Sequence, residues 1–260
     1  MFPIHDSELN PPLHLSPSSL ATFEQCPLKF KFSKIDSIPD KPGIEAVLGN
    51  FVHDVLECLY KLEPAGRTKA SARDLARDVF YNKYSELAMS LLHRESAVKQ
   101  FRWQAWFCID NLWKVEDPVQ INPIGLETEL NYSLGGVPLK GFIDRHTQDD
   151  SNDIIISDYK TGRTPRAHWL SDKFEQLRIY AAIMQETQLF PVTKLELIYL
   201  KEGVKFSEEV TQTSLGATVE RIVNIKASID DKCKNNSFEP VKSKLCDWCS
   251  YKKICPAWNH

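Results

Sequence analysis

Apolar residues recur at helical spacing from Ile44 to Leu62, through Val47, Leu48, Phe51, Val52, Val55, Leu56 and Leu59, and this wide stripe predicts a helix with one buried face. His53 and Glu57 fall on its other side, one turn apart. Two more helices are expected over 70–90 and 95–115, the second crowded with Phe101, Trp103, Trp106, Phe107 and Trp113. Aromatics at that spacing read as core rather than as a platform for bases. Upstream, "SPSSLATFEQC" opens with Ser16 as a helix N-cap and Pro17 at the first helical position, so a short helix should deliver Cys26 to a turn before Pro27.

After Pro123 the period changes from helical to alternating. "IGLETELNYSL", Gly135-Gly136, "VPLKGFIDR", the polar turn "TQDDSND" and "IIISDYK" predict three consecutive antiparallel strands joined by tight turns. Residues 168–186 return to helical spacing. A strand "KLELIYLKE", a turn at Gly203, a strand "VKFSEEV" and a helix from about Ser214 to Cys233 follow. Helices, three strands, a helix, two strands and a helix imply an α/β fold, a central mixed sheet flanked by helices.

The 260 residues suffice for one large domain, and 42% hydrophobic with 26% charged residues is the composition of an ordinary globular protein. A net charge of −3 rules out the global positive field of a nonspecific nucleic-acid coat. Any nucleic acid must be held by a local patch or through a metal. No run of eighteen apolar residues and no signal-peptide pattern at "MFPIHDSELN" are present, so no membrane is expected and the expected location is cytoplasmic. The chain has no P-loop of the form G-x4-G-K-[ST].

The candidate chemistry lies where the strands end. Asp144 closes "LKGFIDR", Asp158 closes the next strand, and Lys160 shares the Asp158 face because side chains alternate. Alone, D-x-K is also what a solubilised strand end looks like. Here it follows Ile154, Ile155 and Ile156, so the strand should be buried on both faces, and a buried acid needs a partner or a cation. A divalent cation between two close carboxylates removes their repulsion, and oxygen ligands favour Mg²⁺ or Mn²⁺.

The ordered set "LGNFVHDVLE", "GFIDR", "DYKTGR" and "FEQLRIYAA" resembles the RecB-type branch of the PD-(D/E)xK nuclease superfamily. The resemblance implies a restriction-endonuclease-like core. It implies Asp144, Asp158, His53 and the backbone carbonyl of Tyr159 as metal ligands, Lys160 as the catalytic lysine, and Gln176 and Tyr180 as the Q-x-x-x-Y pair that positions phosphate or DNA. Glu57 is placed to bond the free nitrogen of His53, or is simply solvated. One of Glu127 and Glu129 is a candidate further acid, with the choice between them open. Arg145, Arg163 and Arg166 are candidate phosphate contacts, each also readable as a solvated surface charge.

Three of the seven cysteines, Cys246, Cys249 and Cys255, crowd the C-terminus as C-x2-C-x5-C, one thiolate short of a tetrahedral site. With "EQCPLKF" around Cys26, this pattern resembles AddB-like and CRISPR-associated exonuclease-like members of the superfamily. That implies a 4Fe-4S cluster on Cys26, Cys246, Cys249 and Cys255 that joins the N- and C-terminal segments; Zn²⁺ satisfies the same thiolates on ligand chemistry alone. Cys58 and Cys108 read as buried small hydrophobes, and Cys233 has no partner in this scheme.

The implied organisation is a single nuclease domain over 1–260, with an iron-sulfur module from 16–35 and 240–260, a helical region 44–115 carrying His53, and a nuclease core 124–234. The implied activity is metal-dependent DNA exonuclease action on single strands or ends, in repair or recombination. The alternative is a noncatalytic or partner-dependent DNA-binding subunit of a helicase-nuclease or CRISPR adaptation complex.

Overall fold

The computed structural model describes residues 9–40, 42–187 and 190–258. Among the described residues six α-helices come first: α1 (Pro17–Gln25), α2 (Pro27–Phe30), α3 (Ile44–Tyr60), α4 (Lys69–Val79), α5 (Ser85–Leu92) and α6 (Glu95–Val115). Strands β1 (Pro123–Leu134), β2 (Val137–Gln148) and β3 (Ile154–Lys160) follow, then α7 (Leu170–Lys173), α8 (Glu175–Thr187), β4 (Val192–Tyr199), β5 (Val204–Glu209) and α9 (Gln212–Asn235). The five strands form one sheet in the order β1-β2-β3-β4-β5. β3 runs antiparallel to β2 and parallel to β4. The expected mixed sheet with flanking helices is therefore present, and the long connection through α7 and α8 is what a parallel pair requires.

Local chemistry explains the boundaries. Ser16 and Ser19 cap the start of α1 reciprocally, with Pro17 at the first position. The 70–90 helix is broken differently from its expected course: a π-helical turn over Phe80–Tyr84 separates α4 from α5. That extra residue in the turn buries both Phe80 and Tyr84 and leaves Tyr81 outside. Asp144 also does not end its strand. β2 continues to Gln148, paired from Arg145↔Ser157 to Gln148↔Ile154, because Arg145 and His146 are buried and keep the ladder going.

The chain forms two compact units. One comprises Pro42–Glu129 and Phe142–Thr211, the other Met1–Lys41, Leu130–Gly141 and Gln212–His260. In the first, β3 is buried along most of its length. Val52, Val55, Leu56 and Leu59 of α3 and Ala105, Ile109 and Leu112 of α6 build a core with Tyr159, Ile198 and Leu200 from the sheet. α8 packs on β3 and β4. In the second unit, Leu15 bridges Leu139, α1 packs on α9, and the Tyr251 hydroxyl donates to the carbonyl of Ile38 at 3.0 Å. Among the described residues no helix is long and apolar enough to cross a membrane.

Candidate active site

Continuing the β2–β3 register one step past Arg145↔Ser157 sets Asp144 opposite Asp158, and opposite residues on paired strands share a face. Lys160 shares it by alternation, with Nζ 2.6 Å from Asp158 Oδ2. That oxygen is buried, with the Lys160 amine as its ion-pair partner. From α3, His53 turns Nδ1 to within 3.3 Å of Asp144 Oδ2, and its Nε2–H donates to the Tyr159 carbonyl at 2.8 Å. Asp144 Oδ2 also accepts the Tyr159 N–H at 2.8 Å. From α8, Gln176 Nε2 donates to the Tyr180 hydroxyl at 3.2 Å.

The structure separates the two glutamates that the sequence left equivalent. Donor atoms of His53, Glu127 and Asp144 lie within 4.8 Å of one another, whereas Glu129 is exposed. The cause is local: Glu127 has φ +43, a left-handed residue inside a strand, which breaks the alternation that would have kept Glu127 and Glu129 on one face.

Charge is unbalanced in this cluster. Burial pushes Asp158 up to about 6, with Asp144 adding to the rise and Lys160 partly offsetting it. Burial and then Asp144 lift Glu127 to about 7. Burial would lower His53, but Asp144, Asp158 and Glu127 more than reverse this and hold it at about 9. Burial would likewise raise Asp144, yet His53 and the Tyr159 N–H keep it below the ordinary aspartate range. Carboxyls that must take up protons near neutrality mark unmet demand for positive charge. Oxygen donors with one imidazole and that deficit fit a divalent cation of the Mg²⁺ or Mn²⁺ kind.

Two of the roles that the sequence left open are not taken up here. Arg145 does not face phosphate: it is 1% exposed, pairs with both oxygens of Glu116 at 2.5 and 2.9 Å, and donates to the Tyr159 hydroxyl at 2.8 Å and Ser157 Oγ at 3.2 Å. Its guanidinium also lies over the rings of Tyr60 and Tyr159. Glu57 does not support His53, whose two nitrogens are taken by Asp144 and Tyr159; it pairs instead with Lys61 at 2.7 Å. Arg163 and Arg166 are exposed.

In the other unit, Cys26, between α1 and α2, lines one cavity with Cys246, Cys249 and Cys255. The Val241 N–H points to Cys26 Sγ and the Ser243 N–H to Cys246 Sγ, both at 3.4 Å. Lys29, Lys242 and Lys252 line the same cavity. Amide donors and cations around four thiols fit a thiolate-held metal centre. Of the remaining cysteines, Cys108 and Cys233 are buried and Cys58 is half-buried.

Comparison with known proteins agrees with this architecture. The profile of the PD-(D/E)XK nuclease superfamily matches residues 14–256. The "Gene 69 protein" of Mycobacterium phage L5 is 24% identical and aligns with 94% of this chain and 96% of its own. Its namesake in Mycobacterium phage D29 is also 24% identical, over 94% of this chain and 97% of its own. A crystal structure from Eubacterium rectale, titled "Putative exonuclease", is similar in fold with a TM-score of 0.57 at 14% identity, covering 92% of this chain and 87% of that one.

Proposed function

Since the chain belongs to the PD-(D/E)XK nuclease superfamily, we propose that it is a divalent-metal-dependent deoxyribonuclease of the RecB type, an exonuclease acting on single strands or DNA ends in repair or recombination. The observation that carries this reading is that His53, Glu127 and Asp144 bring donor atoms within 4.8 Å of one another, with Asp158, paired to Lys160, opposite Asp144 on the next strand. His53, Glu127, Asp144, Asp158 and the Tyr159 carbonyl are the groups to hold the metal. When bound, Mg²⁺ or Mn²⁺ supplies a polarised phosphoryl oxygen and an acidified water.

The chain's own residues do the rest. Lys160, fixed by Asp158, offers a full positive charge where negative charge builds on the attacked phosphate. Gln176 and Tyr180, linked by their hydrogen bond, form a polar edge to orient a phosphate or the strand beside it. In the metal-free site His53 bridges Asp144 and the Tyr159 carbonyl, and it would have to give up a ring proton before that nitrogen could hold the ion. Glu127→Gln is expected to weaken Mn²⁺ binding by at least the roughly tenfold that loss of even a supporting partner causes, and Glu129→Gln to leave it within a factor of two, as read by calorimetric titration. Equal losses would assign neither glutamate.

Residues 16–35 and 240–260 are read as a 4Fe-4S module on Cys26, Cys246, Cys249 and Cys255. The cluster is favoured over a single Zn²⁺, which the same four thiolates would also satisfy, because the Cys26 segment and the C-x2-C-x5-C spacing resemble those of the cluster-bearing nucleases. Joining Cys26 to the tail closes so long a loop that extrapolated loop entropy gives roughly 5 kcal/mol of stabilisation. Anaerobically purified protein is expected to be brown with stoichiometric iron, and Cys249→Ser to lose both colour and thermal stability. Colourless protein with stoichiometric zinc would overturn the assignment.

DNA unwinding, where it is needed, is assigned to a helicase partner, and a CRISPR adaptation complex is the other partner class that the same resemblance implies. The exonuclease reading is tested by incubating end-labelled linear and circular single-stranded DNA with Mg²⁺ or Mn²⁺. Release of nucleotides from the linear strand with the circle intact supports it. Cleavage of both at the same rate makes the enzyme an endonuclease.

A further inference from the structure

The helical layer of the Pro42–Glu129 and Phe142–Thr211 unit carries a second feature that the catalytic cluster does not use. α4 and α6 flank a groove of about 400 Å³, floored by Phe51 and lined by Arg73, Arg77, Lys99, Arg102, Trp103 and Trp106, with Asp74 its one acid. Arg77 is already paired with Asp74 at 3.2 Å and Asp78 at 3.4 Å. Among the described residues, Arg73, Lys99 and Arg102 have no carboxylate partner.

Aromatic rings hold two of these cations in place. The Arg73 guanidinium lies 4.7 Å from the centre of Trp106. Arg102 lies 4.9 Å from Phe80 and 5.1 Å from Tyr81, whose hydroxyl it also meets at 3.2 Å. Beside them Trp103, 64% exposed, stacks on Phe107 at 5.6 Å with ring planes 16° apart. A Trp103 held nearly parallel to its neighbour keeps its other face open.

We infer that this groove binds single-stranded DNA, with a base stacked on Trp103 and phosphates met by Arg73, Lys99 and Arg102. Exposed Trp, Tyr and Arg also mark protein interfaces. Three unpaired cations with one acid, already occupied, beside a flat open ring favour a strand of phosphates and bases. The duplex hides its base faces, so a stacking platform selects unpaired strands. α3 sends Phe51 to the groove floor and His53 to the catalytic cluster, so one rigid helix serves both. The choice of DNA over RNA rests on the nuclease reading above; the groove's chemistry does not depend on catalysis.

The test measures binding of a fluorescent oligothymidylate by anisotropy, without divalent metal, for the wild type, Trp103→Ala and the double variant Arg73→Gln/Lys99→Gln. Both sets of side chains are on the surface, and thermal melts check that the fold is kept. Trp103→Ala is expected to raise the Kd roughly tenfold. The double variant is expected to flatten the dependence of log affinity on log salt by roughly 0.7 per cation removed. All three are expected to hydrolyse a p-nitrophenyl phosphodiester at one rate. Unchanged Kd and salt slope in both variants would overturn the proposal and leave the face to a partner protein, as would equal loss of affinity for duplex DNA. A wild type that binds through Trp103 but hydrolyses nothing would sink the nuclease reading alone.

Discussion

Alanine in place of Lys160 is expected to lower the rate of phosphodiester hydrolysis by roughly two to three orders of magnitude, with Mn²⁺ affinity changed less than tenfold. The amine sits 2.6 Å from Asp158 Oδ2 on a strand whose every neighbour is fixed by the sheet, so its charge is already in place when the phosphate acquires negative charge. Charge that needs no reorganisation acts on the transition state more than on bound substrate, and the loss should fall on kcat. Lys160→Arg is not expected to restore the rate, because a planar guanidinium cannot occupy the position of a compact ammonium. The variant should still fold: Asp158, already pushed up to about 6 by burial, can accept a proton in place of its lost partner. A Lys160→Ala enzyme as fast as wild type would remove the lysine from the reaction.

The second large effect is on stability. Arg145→Ala is expected to cost about 3–5 kcal/mol, a fall in Tm on the order of 10 °C. Arg145 and Glu116 side chains are only 2% and 4% exposed, and removing the guanidinium leaves a carboxylate buried with the Tyr60 hydroxyl as its remaining donor. From Ser157, which also receives Arg145, the network continues to Glu196 at 3.0 Å and on to Lys205. These bonds lie on the face of the sheet opposite Asp144 and Asp158, so they fix β2 against β3 beneath the acids. Burial would raise Glu116, but Arg145 holds it below the ordinary glutamate range. The pair's stabilisation is therefore present above that range and is lost as the pH falls through the depressed value. Arg145→Met with Glu116→Leu should recover most of the loss. A single Arg145→Ala within 1 kcal/mol of wild type would mean the network does not hold the strands.

Arg145 also shows which errors a sequence reading could have avoided. It adjoins Asp144, and in a strand adjacent side chains point to opposite faces, so an Asp144 aimed at the site sends Arg145 away from it. The same argument applies to α6: Phe101, Ala105, Cys108 and Leu112 trace its buried stripe, and Trp103 and Phe107 lie off it. The expected core therefore loses these two, which are exposed. Other features were out of reach. Nothing in "LETEL" announces that Glu127 adopts a positive φ, and without that twist Glu127 and Glu129 stay equivalent. Nor does the spacing over 70–90 reveal a π-helical turn at Phe80–Tyr84, since one extra residue leaves the apolar pattern nearly intact on either side.

What was legible came from rigid elements. The register of β2 on β3 follows from alternation and a short polar turn, and it alone brings Asp144, Asp158 and Lys160 to one face. The apolar stripe of α3 fixes its rotation, and with it the side that carries His53 toward Asp144. The four cysteines of the "EQC" and C-x2-C-x5-C segments, distant in the chain, line one cavity because the segments that carry them belong to the same compact unit.

The central claim, that the His53, Asp144, Asp158 and Lys160 cluster is a metal-dependent phosphodiesterase, meets its most direct test in nucleotide release from end-labelled single-stranded DNA by wild type and Asp158→Asn, each with Mg²⁺, with Mn²⁺ and with chelator. The account predicts release by wild type with either metal, none with chelator, and a loss of at least a hundredfold in the variant, in line with removal of a group that stabilises the transition state. Release that survives chelation, or an Asp158→Asn protein as active as wild type, would contradict it.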